Sequence, residues 1–554
     1  MPMKKHYLLL MAGFIIALHS LQAQDSRFVV HLSDKDTANN PYSLEAPGEF
    51  LSQKALDRRS RFGIEPDMSD LPLSPRYTDS ISRLVSRIQN RSRWFNLLVV
   101  EAPDSVAPFI KNKPFVDSLA RVAPAPSAGK KNTQQPAQNT QAHHYAAITS
   151  TLDSSAYGYT WRQIQMLKGH HLHQGGYQGR GLTIAIMDAG FQNADKLPAF
   201  DSLRTNNQIK STADFEDHDG NVYESDRHGT MVLSVIAANI PGVYRGTAPK
   251  ADFILLRTEV TGSEYISEEY NWIAAAEYAD SAGTNIINSS LGYSTFNDST
   301  QDHTYQDLDG NTTPITRAAD MAAAKGMLVV SSAGNLGNDS WRYISAPADA
   351  DSIITVGAVD ERGNHASFSS VGPTADGRIK PEVAAQGVAT AVASPDSSLL
   401  YGNGTSFSAP IITGLMACLW EKYPNLNNMQ LRDKLIRNAS QWDNPDSLTG
   451  YGIPNFSMAG NLGFETLAPK AVRSYPNPFR KHFILSLPTI NLKDQTLSID
   501  IYDIMGKKRF TQQFTNTLPP QVRIDALHDA PPGIYLVKIS LNHELVTKEK
   551  IIKE

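Results

Sequence analysis

Residues 404–410 read Gly-Thr-Ser-Phe-Ser-Ala-Pro, and they stand between a glycine-containing loop and the apolar run of residues 411–420. This pattern predicts a loop that opens into a buried helix, with Ser406 in the first turn. A glycine here lets another backbone approach, because it carries no Cβ. The unpaired N–H groups and the positive dipole end of a helix start also favour a developing negative charge. Taken alone, such a stretch is more often a Ser/Thr cap ahead of a core helix.

Two upstream stretches contain what a nucleophilic serine needs, a base and an orienting carboxylate. Residues 181–187 form an apolar run typical of a buried parallel strand, and the run ends at Asp188. His228 stands at the start of a helix-like segment, residues 231–238. Alone, Asp188 could form a strand-end turn and His228 could be an exposed helix-start residue. In the order Asp, His, Ser, each at a strand end or helix start, they indicate a catalytic triad.

These motifs resemble those of the subtilisin-like serine peptidases, the subtilases, which share this Asp…His…Ser order. The matching segments are residues 186–190 (Ile-Met-Asp-Ala-Gly), 228–230 (His-Gly-Thr), 288–292 (Asn-Ser-Ser-Leu-Gly), 332–335 (Ser-Ala-Gly-Asn) and 404–410. The resemblance covers roughly residues 155 to 460. It departs from the usual family pattern at Met187 and Met231, and neither position carries a catalytic group.

The resemblance implies hydrolysis of protein or peptide substrates, with no cofactor required. Asp188, His228 and Ser406 would form the triad, and the side-chain amide of Asn335 would bind the oxyanion. Substrate binding is expected from two further segments, whose residues are Ser290, Leu291, Gly292, Ala333 and Gly334. The competing hypothesis is a catalytically inactive adhesin on the same scaffold. The presence of all four catalytic residues argues against it.

Strand-like and helix-like segments alternate through the central domain, residues 155–465. Such alternation predicts an α/β fold, a subtilisin-like doubly wound parallel sheet with functional residues at the carboxyl ends of its strands. The composition argues against a nucleic-acid-binding protein and a disulfide-stabilised protein. A net charge of −5 without a basic patch gives no reason to expect nucleic-acid binding. The single cysteine, Cys418, excludes an intramolecular disulfide and lies in an apolar run typical of a core helix.

The N-terminal region divides into three predicted parts. Residues 1–23 have the charged start, apolar core and small-residue cleavage site of a secretory signal, and the apolar core is too short for the alternative, a membrane anchor. The mature protein is therefore expected to have no transmembrane segment. Residues 24–124 predict an α+β domain in β-α-β-α-β order, with one helical apolar face across residues 74–88. Residues 125–154 are polar and non-periodic, which indicates a linker and maturation region.

The order of elements in residues 24–124 resembles the propeptides of subtilases. An unrelated adhesion module is the alternative. If the resemblance holds, the chain is made as a zymogen, and the linker is where maturation would occur.

Two acidic loops are candidates for a structural calcium site. Asp307 and Asp309 lie in an oxygen-rich, glycine-turned segment, but it lacks the downstream glutamate of an EF-hand loop. Residues 214–219 are similarly acidic. In both cases the sequence favours a solvated turn or loop.

Short alternating strands separated by turn signals predict a β-sandwich over residues 472–554. Its motifs are residues 475–479 (Tyr-Pro-Asn-Pro-Phe), 502–506 (Tyr-Asp-Ile-Met-Gly), 532–535 (Pro-Gly-Ile-Tyr) and 550–553 (Lys-Ile-Ile-Lys). They resemble the C-terminal sorting domain of type IX secretion cargo, a system of Gram-negative Bacteroidota. The resemblance implies the type IX machinery as a partner and a secreted or surface location. The alternative is an accessory carbohydrate- or protein-binding sandwich.

Overall fold

The computed structural model describes residues 25–124, residues 156–459 and most of residues 473–554, the last with gaps at 476, 487–490, 505, 518–520, 529 and 542–543. By its internal contacts the chain divides into two compact units, Met1–Gly460 and Asn461–Glu554. The predicted signal and the predicted linker lie outside the described residues. No described helix has both the length and the apolar character needed to cross a membrane.

The N-terminal domain consists of a four-stranded antiparallel sheet with helices packed on it. Its strands are β1 (Asp25–Leu32), β2 (Arg87–Ser92), β3 (Leu97–Pro103) and β4 (Val116–Pro124), in the sheet order β2-β3-β1-β4. Its helices are α1 (Gln53–Arg61), α2 (Pro75–Ser82) and α3 (Ala107–Lys111). Ile81 of α2 and Ile110 of α3 pack with the apolar face of the sheet in one core cluster. The predicted α+β domain is confirmed.

The predicted helix across residues 74–88 is wrong in its second half. Helix α2 ends at Ser82, and Ile88 lies in β2 opposite Val100 of β3. Pairing with the buried strand β3 outweighs the helical spacing of the apolar residues, because strand formation depends on cross-strand contacts. The observed order of elements is β-α-α-β-β-α-β and not β-α-β-α-β.

The central domain is organised around a seven-stranded parallel sheet. The described strands of the whole domain are β5 (Thr183–Asp188), β6 (Ile209–Asp214), β7 (Asn239–Ile240), β8 (Tyr244–Arg245), β9 (Asp252–Arg257), β10 (Ile286–Ser289), β11 (Leu328–Ser332), β12 (Ile354–Val359), β13 (Val383–Gln386), β14 (Thr390–Ala393) and β15 (Leu399–Gly402). The sheet order is β13-β12-β11-β10-β5-β9-β6, and every neighbouring pair is parallel. Strands β7 and β8, and β14 and β15, form two small antiparallel pairs.

Helices cover both faces of this sheet. They are α4 (Trp161–Met166), α5 (His170–Gln174), α6 (Asp201–Thr205), α7 (His228–Ala237), α8 (Ser267–Ser281), α9 (Pro314–Ala324), α10 (Thr405–Lys422), α11 (Asn428–Arg437) and α12 (Phe456–Ala459). Successive residues of β5 point to opposite faces. Ile184 and Ile186 belong to the core that contains α7 and α10, whereas Ala185 and Met187 belong to the core that contains α8 and α9. The predicted doubly wound α/β architecture is confirmed.

The parallel arrangement brings several strand ends to one edge. Asp188, the last residue of β5, lies opposite Arg257 at the end of β9. On the other side of β5, Ser289 ends β10 opposite Met187, and it pairs with Ser331 of β11. Side chains and loops that follow these strands therefore meet at the carboxyl edge of the sheet, where α/β folds place their sites.

The N-terminal domain packs against α8 of the central domain through buried charges. The fully buried carboxylate of Asp280 accepts hydrogen bonds from Arg58, from Arg59 Nη2 at 2.6 Å and from Arg93 Nη2 at 3.3 Å. One turn earlier, Glu277 accepts a hydrogen bond from the backbone N–H of Arg93 at 2.8 Å. The interface thus places three guanidinium groups around a single acidic side chain.

The C-terminal unit is a strand-rich domain with its own core. Its described strands are β16 (Arg473–Tyr475), β17 (Phe483–Ser486), β18 (Asn491–Asp503), β19 (Lys508–Thr517), β20 (Gln521–Ile524), β21 (Gly533–Leu541) and β22 (Glu544–Lys553). They form two antiparallel sheets, β16-β17-β20 and β19-β18-β21-β22. Apolar side chains of both sheets, including Phe483 and Val537, share one hydrophobic cluster. The predicted β-sandwich is confirmed.

Candidate active site

Asp188 and His228 form a hydrogen-bonded pair at the carboxyl edge of the sheet. The Nδ1 atom of His228 lies 2.8 Å from Oδ1 of Asp188, and that oxygen also accepts the Ala189 N–H at 2.8 Å. Asp188 is fully buried, whereas 12% of the His228 side chain is exposed. Because Nδ1 is bonded to a carboxylate, Nε2 is the nitrogen left for chemistry.

The start of α7 fixes the position of His228. The side chain of Asp226 accepts the His228 N–H at 2.7 Å, which satisfies a donor at the helix start. Gly229 has no room for a side chain, since a Cβ built on it would lie 2.9 Å from Cβ of Asp188 and closer still to the carbonyl oxygen of Gly190. The glycine after the histidine therefore allows the helix to start directly against the strand that carries Asp188.

Burial and charge shift the pKa values of this pair. Burial raises the pKa of Asp188, although His228 and the Ala189 N–H favour its carboxylate. Burial alone would lower the pKa of His228, but the Asp188 carboxylate, with Asp226 and Glu259, raises that pKa to about 9. The cation of the imidazole is therefore stabilised by its carboxylate partner, as a general base in acyl transfer requires.

Ser406 is the second residue of α10. Its Oγ donates a hydrogen bond to the Ser290 carbonyl oxygen at 3.3 Å, and Ser290 Oγ donates to the Ser406 carbonyl oxygen at 3.0 Å. The ring of Phe407, the next residue, is 6.0 Å from the His228 ring between centroids. Within the described residues the Ser406 hydroxyl bonds to Ser290 and not to His228. The residue after Ser406 thus lies near the imidazole of His228, and Ser406 as the nucleophile of the triad stays a prediction.

The side-chain amide of Asn335 and the backbone N–H of Ser406 both lie near Gly404. A Cβ built on Gly404 would lie 3.7 Å from Asn335 Nδ2 and 3.7 Å from the Ser406 nitrogen. Gly404 has a φ of 149°, a conformation that glycine adopts readily. The Asn335 amide oxygen accepts the Thr405 N–H at 2.8 Å. The Asn335 amide and the Ser406 N–H are both donors of the kind that binds an oxyanion.

The predicted substrate-binding residues line the same edge. Ser290, Leu291 and Gly292 continue the chain beyond β10, and Ala333 and Gly334 continue it beyond β11. Ala333 is fully buried and Leu291 is 6% exposed, so their side chains serve packing. Gly292 is exposed, which leaves its backbone accessible to an extended peptide. The N–H and carbonyl oxygen of Gly334 already bond to Thr405 Oγ1 and to the Ser370 N–H.

No sequence motif predicts a role for Thr405. Its Oγ1 donates to the Asn335 amide oxygen at 3.0 Å and accepts the Gly334 N–H at 3.2 Å. The only available signal was its place directly before Ser406. Which distant residue it contacts depends on how β11 and α10 meet, and no local pattern contains that information.

The acidic loops bind their own neighbours. Asp307 accepts hydrogen bonds from the N–H and hydroxyl of Thr304, and Asp309 accepts the N–H groups of Asn311 and Thr312. These contacts favour ordinary turns, and calcium at Asp307 and Asp309 stays a prediction.

In the other acidic loop, the carboxylates of Asp214, Asp217 and Asp219 lie within 4.8 Å of one another. Two of them pair with Arg257, at 2.9 Å for Asp214 and 2.6 Å for Asp217. This pairing already neutralises part of the cluster.

Three protein families match successive parts of the chain. Residues 27–141 match the family described as "Peptidase S8 propeptide domain, Bacteroidota". Residues 179–452 match the "Subtilase family", and residues 473–554 match the "Secretion system C-terminal sorting domain".

Individual relatives agree with the central match. Subtilisin NAT of Bacillus subtilis subsp. natto is 29% identical over 423 residues, which cover 75% of this chain and 93% of that protein. Subtilisin DY of Bacillus licheniformis is 31% identical over 280 residues, which cover 50% of this chain and 90% of that protein. A crystal structure of MycP1 from Mycobacterium smegmatis is similar with a TM-score of 0.43 and 22% identity, covering 59% of this chain and 91% of that one. The chain belongs to the subtilase family of serine endopeptidases, with an N-terminal propeptide and a C-terminal type IX sorting domain.

Proposed function

We propose that this peptidase cuts proteins and peptides with an Asp188–His228–Ser406 triad and an acyl-enzyme intermediate. The observation that carries the proposal is the 2.8 Å contact between Asp188 Oδ1 and His228 Nδ1, in a pair that lies beside the helix start bearing Ser406. A carboxylate in that position fixes the tautomer of the imidazole and stabilises its cation.

The proposed reaction uses these three residues in turn. His228 Nε2 takes the Ser406 Oγ proton as the oxygen attacks the scissile carbonyl, and the imidazolium then gives that proton to the leaving amine. Water attacks the resulting ester by the same exchange of protons, which releases the acid product and restores Ser406. Each step uses a group of the chain itself or water, so the proposal requires no cofactor.

Two donors would stabilise the tetrahedral intermediates. The Asn335 side-chain amide and the Ser406 backbone N–H both lie 3.7 Å from the same built position at Gly404. Donors fixed in place before the reaction need no reorganisation when the carbonyl oxygen gains charge. The substrate backbone would pair with the segment that contains Ser290, Leu291 and Gly292 as an added strand.

A fluorophosphonate probe tests the triad, since it reacts only with an activated serine. The mature enzyme should be labelled at Ser406, and Ser406→Ala should abolish both labelling and peptidase activity. Ser340→Ala, at an exposed serine, is the matched control and should behave as the unmodified protein. An enzyme that remains unlabelled although folded would point to the inactive adhesin instead.

Secretion is the second part of the proposal. The sorting-domain match at residues 473–554 supports delivery by the type IX machinery to the surface or the medium of a member of the Bacteroidota. The machinery would be the partner of the C-terminal unit and not of the active site. The propeptide match supports synthesis as a zymogen that is processed after export.

A further inference from the structure

Helix α10 carries a proline four residues after Ser406. A carbonyl oxygen in an α-helix normally accepts the N–H of the residue four positions later, but Pro410 has no N–H to donate. The Ser406 carbonyl oxygen accepts the Ser290 hydroxyl instead, at 3.0 Å. A side chain from the segment after β10 thus replaces the missing helical hydrogen bond at the residue proposed as the nucleophile.

The Ser290 hydroxyl is itself oriented by Asn288. Asn288 is the third residue of β10 and is fully buried, and its Nδ2 donates to Ser290 Oγ at 3.1 Å. Because Oγ accepts this bond, its own hydrogen is directed to another acceptor, the Ser406 carbonyl oxygen. The amide therefore sets the direction in which Ser290 donates.

Thr413 fixes that amide from the side of the helix. It is fully buried and lies seven residues after Ser406, two turns along α10, so both residues are on one side of the helix. Its Oγ1 donates to Asn288 Oδ1 at 2.8 Å and also lies 3.1 Å from the Ala409 carbonyl oxygen, the usual partner of a helical threonine hydroxyl. With its oxygen held by Thr413, the amide presents its NH₂ end to Ser290.

We call Thr413, Asn288 and Ser290 the amide bridge, because it leaves α10 at Thr413 and returns to α10 at Ser406. The two residues before Asn288 in β10, Ile286 and Ile287, belong to the two hydrophobic cores of the domain. A polar amide in this layer costs free energy unless its bonds are made, so packing alone would favour an apolar side chain. The bridge makes those bonds and ends on the backbone of Ser406.

We propose that Asn288 and Thr413 are positioning residues for the nucleophile, which hold the Ser406 backbone through the Ser290 hydroxyl where Pro410 leaves it without a helical partner. The inference rests on the proposed function. Ser406 would supply both the attacking Oγ and a backbone N–H for the oxyanion, so a shift of its backbone misplaces two groups at once. A misplacement of about 1 Å can cost about 100-fold in rate.

The test compares threonine variants of the mature enzyme on one peptide substrate. Thr413→Val removes the hydroxyl at nearly constant volume and should lower kcat about tenfold with little change in KM. Thr413→Ser keeps the hydroxyl and should keep kcat within about threefold of the unmodified value. Thr316→Val is the matched control and should keep kcat, because Thr316 is also fully buried in a helix but its hydroxyl donates to Asp349, at 2.6 Å.

Asn288→Leu interrupts the bridge at its centre and should lower kcat about 100-fold. Combined with Thr413→Val it should lose no more than Asn288→Leu alone, because Thr413 acts through the amide. The acid limb of the pH profile should keep its midpoint in each variant, since no hydrogen bond of the bridge involves a titrating group.

Equal kcat values for Thr413→Val and Thr316→Val would overturn the inference. So would a Thr413→Ser enzyme as slow as Thr413→Val, which would assign the effect to the methyl group, or a rise in KM at constant kcat. Should Asn288→Leu fail to fold, the threonine variants decide the question alone. Fluorophosphonate labelling separates the two levels, because a labelled enzyme whose variants keep kcat contradicts only this inference. An unmodified enzyme that is unlabelled and inactive contradicts the proposed function as well.

Discussion

Thr405 holds the amide oxygen of Asn335 with two hydrogen bonds, one from its backbone N–H at 2.8 Å and one from Oγ1 at 3.0 Å. The oxygen end of the amide is thereby anchored, and the NH₂ end is the one left to serve a substrate. Thr405 also precedes Ser406, so a single residue links the two groups proposed to bind the oxyanion. Fixed donors of this kind are the main source of electrostatic stabilisation in acyl transfer.

Replacing Asn335 tests this arrangement. Asn335→Ala should lower kcat by about 10²- to 10³-fold with little change in KM, because the amide would act mainly in the transition state. Steady-state kinetics on one peptide substrate give both constants. Asn338→Ala, at an exposed asparagine in the same loop, is the control. A loss of tenfold or less in kcat would show that the Asn335 amide does not stabilise the oxyanion.

The pH profile should reflect the raised pKa of His228. The imidazole must be neutral to accept the Ser406 proton, and the buried Asp188 carboxylate keeps it protonated to a higher pH than an ordinary histidine. The acid limb of kcat/KM should therefore have its midpoint above 6.5, and activity should increase into the alkaline range. Measurements between about pH 5 and 11 on a peptide without titrating groups would show this.

Asp188→Asn supplies the comparison for that profile. Removal of the carboxylate charge lowers the pKa of His228, so the midpoint should move to lower pH while kcat falls by about 10⁴-fold. Asp443→Asn, at an exposed aspartate, should leave the profile unchanged. A midpoint at or below 6.5 in the unmodified enzyme would contradict the strong coupling between Asp188 and His228.

The candidate active site could be predicted because its signals are local. Asp188 ends an apolar strand, and His228 and Ser406 begin helices, so each position follows from the pattern around it. Because the carboxyl ends of parallel strands lie at one edge of the sheet, these residues are expected to be near one another. Thr405 had no such signal, since its two hydrogen bonds to Asn335 join segments 70 residues apart in the chain. Its neighbours are determined by the tertiary fold alone.

Two polar elements of the fold, α1 and β19, could not be predicted from hydrophobic patterning. Helix α1 contains few apolar residues, and it is stabilised by the Ser52 cap and by arginines that reach Asp280 across the domain interface. Strand β19 is mostly polar and gains its place by pairing with β18 along nearly its full length. In both cases the stabilising contacts come from residues distant in the sequence, so hydrophobic periodicity does not predict these elements.

Asp280 should hold the propeptide to the peptidase domain. Asp280→Asn would leave the buried guanidinium groups of Arg58, Arg59 and Arg93 short of a counter-charge, which typically costs about 3–5 kcal/mol. In a Ser406→Ala background, which prevents self-cleavage, the full-length protein should unfold at a lower urea concentration. Asp443→Asn in the same background is the control, and equal midpoints for the two variants would show that the buried charges are not decisive.

Maturation should depend on the enzyme's own nucleophile. If the linker at residues 125–154 is cut by the peptidase itself, Ser406→Ala should accumulate as a precursor that still carries residues 24–124. Mass spectrometry of the N-terminus reads this directly, and Ser340→Ala should mature normally. An N-terminus within residues 125–155 in the Ser406→Ala protein would instead show that another protease does the trimming.

The C-terminal unit should be needed for secretion and not for catalysis. It has a separate hydrophobic cluster and contains none of the triad residues, and a unit with its own core can be removed without unfolding its neighbour. Truncation at about residue 470 should therefore leave a peptidase that cleaves peptides at the normal rate. Expressed in its native host, the truncated enzyme should be retained in the periplasm, because the predicted signal supports export across the inner membrane only. Fractionation with an activity assay compares it with the full-length protein. Equal activity of the two outside the cell would refute the sorting role and favour an accessory binding sandwich.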